Sequence, residues 1–181
     1  KRQVDAGASD GSATVSVGII GHGTGTSTSE ISKVTLDGPD GVTLSGNITT
    51  GDYSDAAVDI TGPVTLGAGI TIDTAETNND GTITFNSTAT INGANTLTLN
   101  TDTGAVALQG AIGTGTAAGI GNLDINQSGG NATIEVANIG SADSIGVTGT
   151  VNIGNVATTS ITLDGTCLLY TSPSPRDRIA S

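Results

Sequence analysis

A three-residue unit with apolar outer positions recurs along this chain, and its spacing leaves little room for any fold but a stack of short strands. It reads Val34-Thr35-Leu36, Val42-Thr43-Leu44, Val64-Thr65-Leu66, Ile70-Thr71-Ile72, Ile83-Thr84-Phe85, Leu97-Thr98-Leu99 and Ile161-Thr162-Leu163. Val58-Asp59-Ile60, Val106-Ala107-Leu108, Leu123-Asp124-Ile125, Ile134-Glu135-Val136 and Val151-Asn152-Ile153 keep the outer pair and change the middle residue. Alternation sends the outer residues to one face and the middle one to the other, as a half-buried strand requires. No segment carries a 3.6 period. The joints between units are Gly, Asn, Asp and Ser, residues that accept positive φ or cap their own backbone.

Successive units begin at 58, 64, 70, 83, 91, 97, 106 and 112, six to thirteen residues apart. An antiparallel sandwich wants strands of about 5–6 residues and a core with aromatics. Up to residue 166 this chain has one Phe and one Tyr. Thin strands, small apolar side chains and a turn every few residues suit a solenoid with coils of roughly 20 residues, whose inward Val, Ile and Leu stack into ladders. The expected fold class is therefore all-β: a parallel β-helix (β-solenoid) built of short strands, a fragment without caps.

A longer similarity overlies the short one. Residues 9–21, SDGSATVSVGIIG, align without gaps onto residues 128–140, SGGNATIEVANIG, at an offset of 119. Val34-Thr35-Leu36-Asp37-Gly38 matches Ile161-Thr162-Leu163-Asp164-Gly165 at an offset of 127, with the eight extra residues expected in loops. Self-similarity at a fixed offset is the mark of a repeat architecture, and here it reads as about one and a third copies of a unit of roughly 120 to roughly 130 residues within a tandem array.

From Cys167 to Ser181 the composition changes abruptly. Cys167-Leu168-Leu169-Tyr170-Thr171-Ser172-Pro173-Ser174-Pro175-Arg176-Asp177 resembles the conceptual translation of a sequencing-library adapter, so residues 167–181 are read as a non-native, disordered tail and 1–166 as the solenoid fragment. The chain opens Lys1-Arg2-Gln3 with neither Met nor an apolar leader, and reads as an internal piece. From Gln3 to Thr166 the sole basic residue is Lys33 against sixteen Asp and Glu, a formal charge near −15. Nucleic acid and anionic membranes need Lys or Arg to replace their counterions, so neither is an expected partner. No apolar run approaches the roughly 18 residues of a spanning helix. With the only Cys in the tail, disulfide staples and thiolate chemistry are not expected of the body.

Stretches such as Asp59-Ile60-Thr61-Gly62-Pro63-Val64-Thr65-Leu66, Asn79-Asp80-Gly81-Thr82-Ile83-Thr84-Phe85, residues 97–106 and Ala111-Ile112-Gly113 resemble the long repetitive regions of filamentous-haemagglutinin-like and other giant bacterial surface adhesins, exported by two-partner secretion or as autotransporter passengers. The resemblance covers nearly all of the body and rests on repeat signatures, not on a site. It implies a right-handed parallel β-helix forming a stiff shaft outside the cell, secreted or on the cell surface. Host or neighbouring-cell glycans or proteins are the partners it implies.

Enzymatic chemistry is the sharpest alternative, because carbohydrate-active enzymes also use parallel β-helices. His22 is the only histidine and sits in a turn-like Gly21-His22-Gly23-Thr24-Gly25, read as a solvated loop. A lyase acting on anionic sugar wants cationic groups to hold its substrate, and from Gln3 to Thr166 the chain offers Lys33 alone. Glycosidase chemistry needs two carboxyl groups; Asp59 or Asp124 with a neighbour are candidates that no spacing selects. Calcium takes oxygen ligands, and Asp52, Tyr53, Ser54 and Asp55 with Asp59, or Asp73 to Asp80 with Glu76, Asn78 and Asn79, offer them near turns. Neither set has the nonapeptide of a calcium β-roll or an EF-hand spacing, so solubilising turn acids are the expectation. Gly113-Thr114-Gly115-Thr116 and Gly23-Thr24-Gly25-Thr26 lack the features of a phosphate loop and read as turns. Thr82 and Thr84, Thr88 and Thr90, Thr96 and Thr98 have the spacing of ice-binding hydroxyl pairs, but their six- and eight-residue separations do not suit one flat face. No catalytic, cofactor-binding or metal residue is assigned, no cofactor is expected, and calcium stays open.

Overall fold

The computed structural model describes residues 2–7, 13–21, 31–75, 80–114, 119–126, 129–141 and 144–165; within them the chain is all β, without a helix. The tail from Cys167 onward, His22, Glu76, Asn78 and Asn79 lie outside the described residues. Three parallel sheets wrap one core as a β-solenoid of about 5 turns. The first sheet holds β1 (Arg2–Gly7), β3 (Ile31–Asp37), β6 (Ala57–Thr61), β9 (Thr82–Phe85), β12 (Val106–Leu108), β14 (Thr133–Val136) and β16 (Ser160–Leu163). The second holds β2 (Thr14–Val17), β4 (Gly41–Leu44), β7 (Val64–Leu66) and β10 (Ile91–Asn92), and is continued by bridges from Ile91 to Ile112 and on to Ile139. In the third are β5 (Ile48–Thr49), β8 (Ile70–Asp73), β11 (Leu97–Asn100), β13 (Leu123–Ile125) and β15 (Val151–Ile153).

All twelve three-residue units lie within these strands, and their alternation is what closes the core. Val34, Val58, Ile83, Val106 and Ile134 stand side by side across the first sheet, next to a second column of Leu36, Ile60, Phe85, Leu108 and Val136. All ten are at most 2% exposed. The same register brings Ile161 and Leu163 into line on β16. No strand among the described residues covers their outer edge, and they are 46% and 51% exposed. Each coil therefore needs its neighbour to bury its apolar face.

Coil length follows from that register, which sets Val34, Val58, Ile83, Val106, Ile134 and Ile161 one above another. Every step along this column is longer than the roughly 20 residues expected of a coil, because corners add residues that carry no periodic signal. Some corners are tight. Between the first and second sheets Gly62 has φ +97°, and a Cβ there would strike the Gly38 carbonyl of the preceding coil, so the corner requires glycine. Others are long: Ile112 to Leu123 and Ile139 to Val151 take about twice the path of Ile91 to Leu97, and the two lengthened corners stack through an Ile120–Val147 bridge.

The corner after the third sheet carries a buried polar ladder of Thr50, Thr74, Thr101 and Asn126, each 0% exposed. The backbone N–H of Thr50 donates to the Asp73 carbonyl at 3.1 Å and that of Thr74 to the Asn100 carbonyl at 2.9 Å. At the next step the pattern changes. Asn126 turns to φ +45°, and its side-chain Oδ1 takes the Thr101 N–H at 2.7 Å while its Nδ2 donates to Thr101 Oγ1 at 2.8 Å. A carboxamide has the donor and acceptor of a peptide group, so the side chain continues the ladder where the backbone leaves it. Thr74 and Thr101 donate their hydroxyls to the Gly81 and Gly104 carbonyls, whereas Thr50 Oγ1 has no partner among the described residues.

The two anchors of the longer similarity occupy different kinds of place. Val34–Leu36 and Ile161–Leu163 lie in the same sheet, five strands apart, but Thr14–Val17 belongs to the second sheet and Thr133–Val136 to the first. All three sides of the coil use one apolar–polar–apolar signature, so a sequence match can align strands from different sides.

Candidate functional site

The outer face of the first sheet presents the middle residues of the units as a column in register: Thr35, Asp59, Thr84, Ala107, Glu135, Thr162. Two of its six members are carboxylates, and their surroundings differ. Lys33 on β3 lies beside Ala57, two residues before Asp59, and its Nζ reaches Asp59 Oδ2 at 2.8 Å across the diagonal. Both side chains are about a third exposed, so the pair holds the two groups in place with at most about 1 kcal/mol of stability.

At Glu135 the same diagonal ends on alanine. β12 runs beside β14 with Val106 opposite Ile134, which puts Ala105 where Lys33 stands relative to Asp59. In place of a lysine stem there is a shallow hollow of about 220 Å³, open to solvent, lined by Ala105, Ala107, Thr133, Glu135, Ser160 and Thr162. Two alanines keep its floor low, and three hydroxyls and one carboxylate surround it. Glu135 has neither an ion pair nor a side-chain hydrogen bond within the described residues. Its neighbours in the column are Ala107 and Thr162.

The other sequence candidates are dispersed over the surface. Asp124 projects from the third sheet and accepts a hydrogen bond from Asn152 Nδ2 at 2.7 Å, whereas Asp59 projects from the first. The structure does not bring them together as a carboxylate pair. Asp73 Oδ1 caps its own turn by accepting from Ala75 N–H at 3.0 Å, and Asp80 Oδ2 accepts from Thr103 N–H and Oγ1 of the next coil. Asp52 and Asp55 are also partnered. Among the described residues no three His, Cys, Asp or Glu side chains gather in a way that could hold a metal ion. Thr82 and Thr84 belong to the first sheet and Thr98 to the third, while the columns through them change to Asp, Ala, Glu or Asn. The threonine pairs thus do not form one continuous hydroxyl face.

The hollow at Glu135 was not selected by sequence reasoning. The signal was an Ala in the middle of an otherwise polar set of units, at Val106-Ala107-Leu108, but its position opposite Glu135, and that of Ala105 on the diagonal, depend on the length of the coil between Val106 and Ile134, which no periodicity reveals. No protein-family model, curated protein or solved structure matches this chain.

Proposed function

We propose that this chain is a non-catalytic shaft segment of a secreted or cell-surface repeat protein, of the filamentous-haemagglutinin-like adhesin type, standing outside the cell. The observation that carries this reading is the uninterrupted seven-stranded parallel sheet, in which each strand offers its edge to the next. A stack of this kind lengthens by about 4.8 Å for each coil added, so about 5 turns span about 24 Å along the axis. Backbone hydrogen bonds run along that axis, and the apolar columns run with them. Such a body spaces a distal contact site from its anchor. Its acidic exterior supports the reading too, because a surface of one sign keeps neighbouring shafts apart and soluble. Weak contacts with glycans or proteins along its length are part of the same role.

The test is antibody labelling of the organism that encodes the chain. An antibody raised against residues 3–166 is expected to stain intact cells or to detect the protein in the medium. Staining only after permeabilisation would remove the extracellular reading. Release of reducing sugar from polysaccharides by the purified chain would overturn the non-catalytic one.

A further inference from the structure

The geometry points to the hollow around Glu135 as a binding site for a protonated amino sugar. This inference rests on the glycan contacts included in the shaft reading and names the ligand chemistry of one face; its failure would leave the shaft itself untouched. The first observation is the broken diagonal. Where Asp59 has Lys33 at 2.8 Å, Glu135 has Ala105, so one carboxylate of the column is charge-paired and the other is not. Apart from that missing stem the local construction is alike: parallel strands, with a carboxylate in the middle of an outward column. The position that the Lys33 ammonium takes beside Asp59 is open beside Glu135, so a ligand cation can occupy it.

The second observation is what surrounds the carboxylate. Thr133, Ser160 and Thr162 place three hydroxyls, each both donor and acceptor, around the same hollow. A bare ammonium would use Glu135 and leave most of this capacity to water. A ring carrying one ammonium and several hydroxyls would use both. At about 220 Å³ the hollow is smaller than the roughly 300 Å³ at which drug-sized pockets begin, which fits a single sugar ring. With alanines as its floor and no aromatic side chain in its lining, the site rests on charge-assisted and neutral hydrogen bonds. With one partly exposed carboxylate as its charged group, the site binds weakly.

The experiment is an NMR titration of the purified chain with glucosamine at mildly acidic pH, where the sugar amine is protonated, and with N-acetylglucosamine, which has the same ring without the charge. Expected are saturable shifts at residues 105–107, 133–135 and 160–162 with glucosamine, and none with the acetylated sugar. Glu135→Gln should weaken binding by about fivefold, the factor for a partly exposed ion pair at the upper end of its range. Ala105→Lys should do the same by supplying the stem that Lys33 supplies to Asp59. Asp124→Asn, which removes one charge from a different sheet, should leave binding unchanged. Equal binding of both sugars, equal losses with Glu135→Gln and Asp124→Asn, or no saturable shifts would each overturn the site. Binding of an Nα-acetyl-lysine amide as tight as that of glucosamine would overturn the sugar in favour of a protein ammonium. Circular dichroism of each variant confirms that the fold is retained.

Discussion

Phe85→Ala lowers the stability of the chain by about 3–5 kcal/mol, the range for deleting a fully buried aromatic side chain. Phe85 is the only phenylalanine and is 0% exposed, sitting mid-column between Ile60 and Leu108 with coils stacked on both sides. The rest of this column is aliphatic, so neighbours lack the length to close the space. Against a typical total stability of about 5–15 kcal/mol the loss is large, and for a chain of this size it lowers Tm on the order of 10 °C. A solenoid is quasi one-dimensional, so the damage should appear first as lost amide protection in β6, β9 and β12. Ile161→Ala is the comparison: its side chain is already 46% exposed, and about 1 kcal/mol is expected. Urea melts of both variants, followed by hydrogen exchange, check the difference.

Asn126→Ala is expected to cost about 3 kcal/mol through a different mechanism. It leaves the buried Thr101 N–H without its acceptor, a loss of about 1–3 kcal/mol, and puts alanine at φ +45°, which adds about 1–2 kcal/mol. Asn126→Gly removes the second contribution while keeping the first, so it should be more stable than the alanine variant by about 1 kcal/mol. Thr50 provides the contrast on the same corner. Its hydroxyl is buried without a partner among the described residues, so Thr50→Val exchanges an unsatisfied oxygen for a methyl of the same shape and is expected to be neutral or stabilising. Ordering the melting midpoints of these variants separates a ladder that continues through the Asn126 side chain from one in which Asn126 is an ordinary turn residue.

The strands were legible in the sequence because a period of two in Val, Ile and Leu has one physical solution when helices are excluded. Which side of the coil a strand occupies was not legible. Thr14–Val17 and Thr133–Val136 have the same signature and lie in different sheets, since each side must bury the same kind of face. Coil length escaped for a related reason: corners such as residues 51–56 carry residues with no inward periodicity. Asn126 looked like any other Asn in a Gly- and Asn-rich joint, and its role appears only once Thr101 is known to lie beside it. The hollow at Glu135 is two steps further removed, because it depends on Ala105 facing Thr133 across a full coil. Lys33 was visible as the sole basic residue from Gln3 to Thr166, and its use as the partner of Asp59 follows from a register that composition does not encode.

The central claim is that the chain advances by one strand spacing per coil along a single axis. Spin-label distances along the outer column of the first sheet test it most directly, after Cys167→Ser removes the only thiol. From Thr35 the register places Thr84 two strands on, Ala107 three and Thr162 five, so the backbone separations should be about 10, 14 and 24 Å at roughly 4.8 Å per strand. Distances rising in that proportion are the predicted result. A Thr35 to Thr162 distance no longer than that from Thr35 to Thr84 would mean the chain folds back on itself, and would contradict the stacked coils on which the shaft rests.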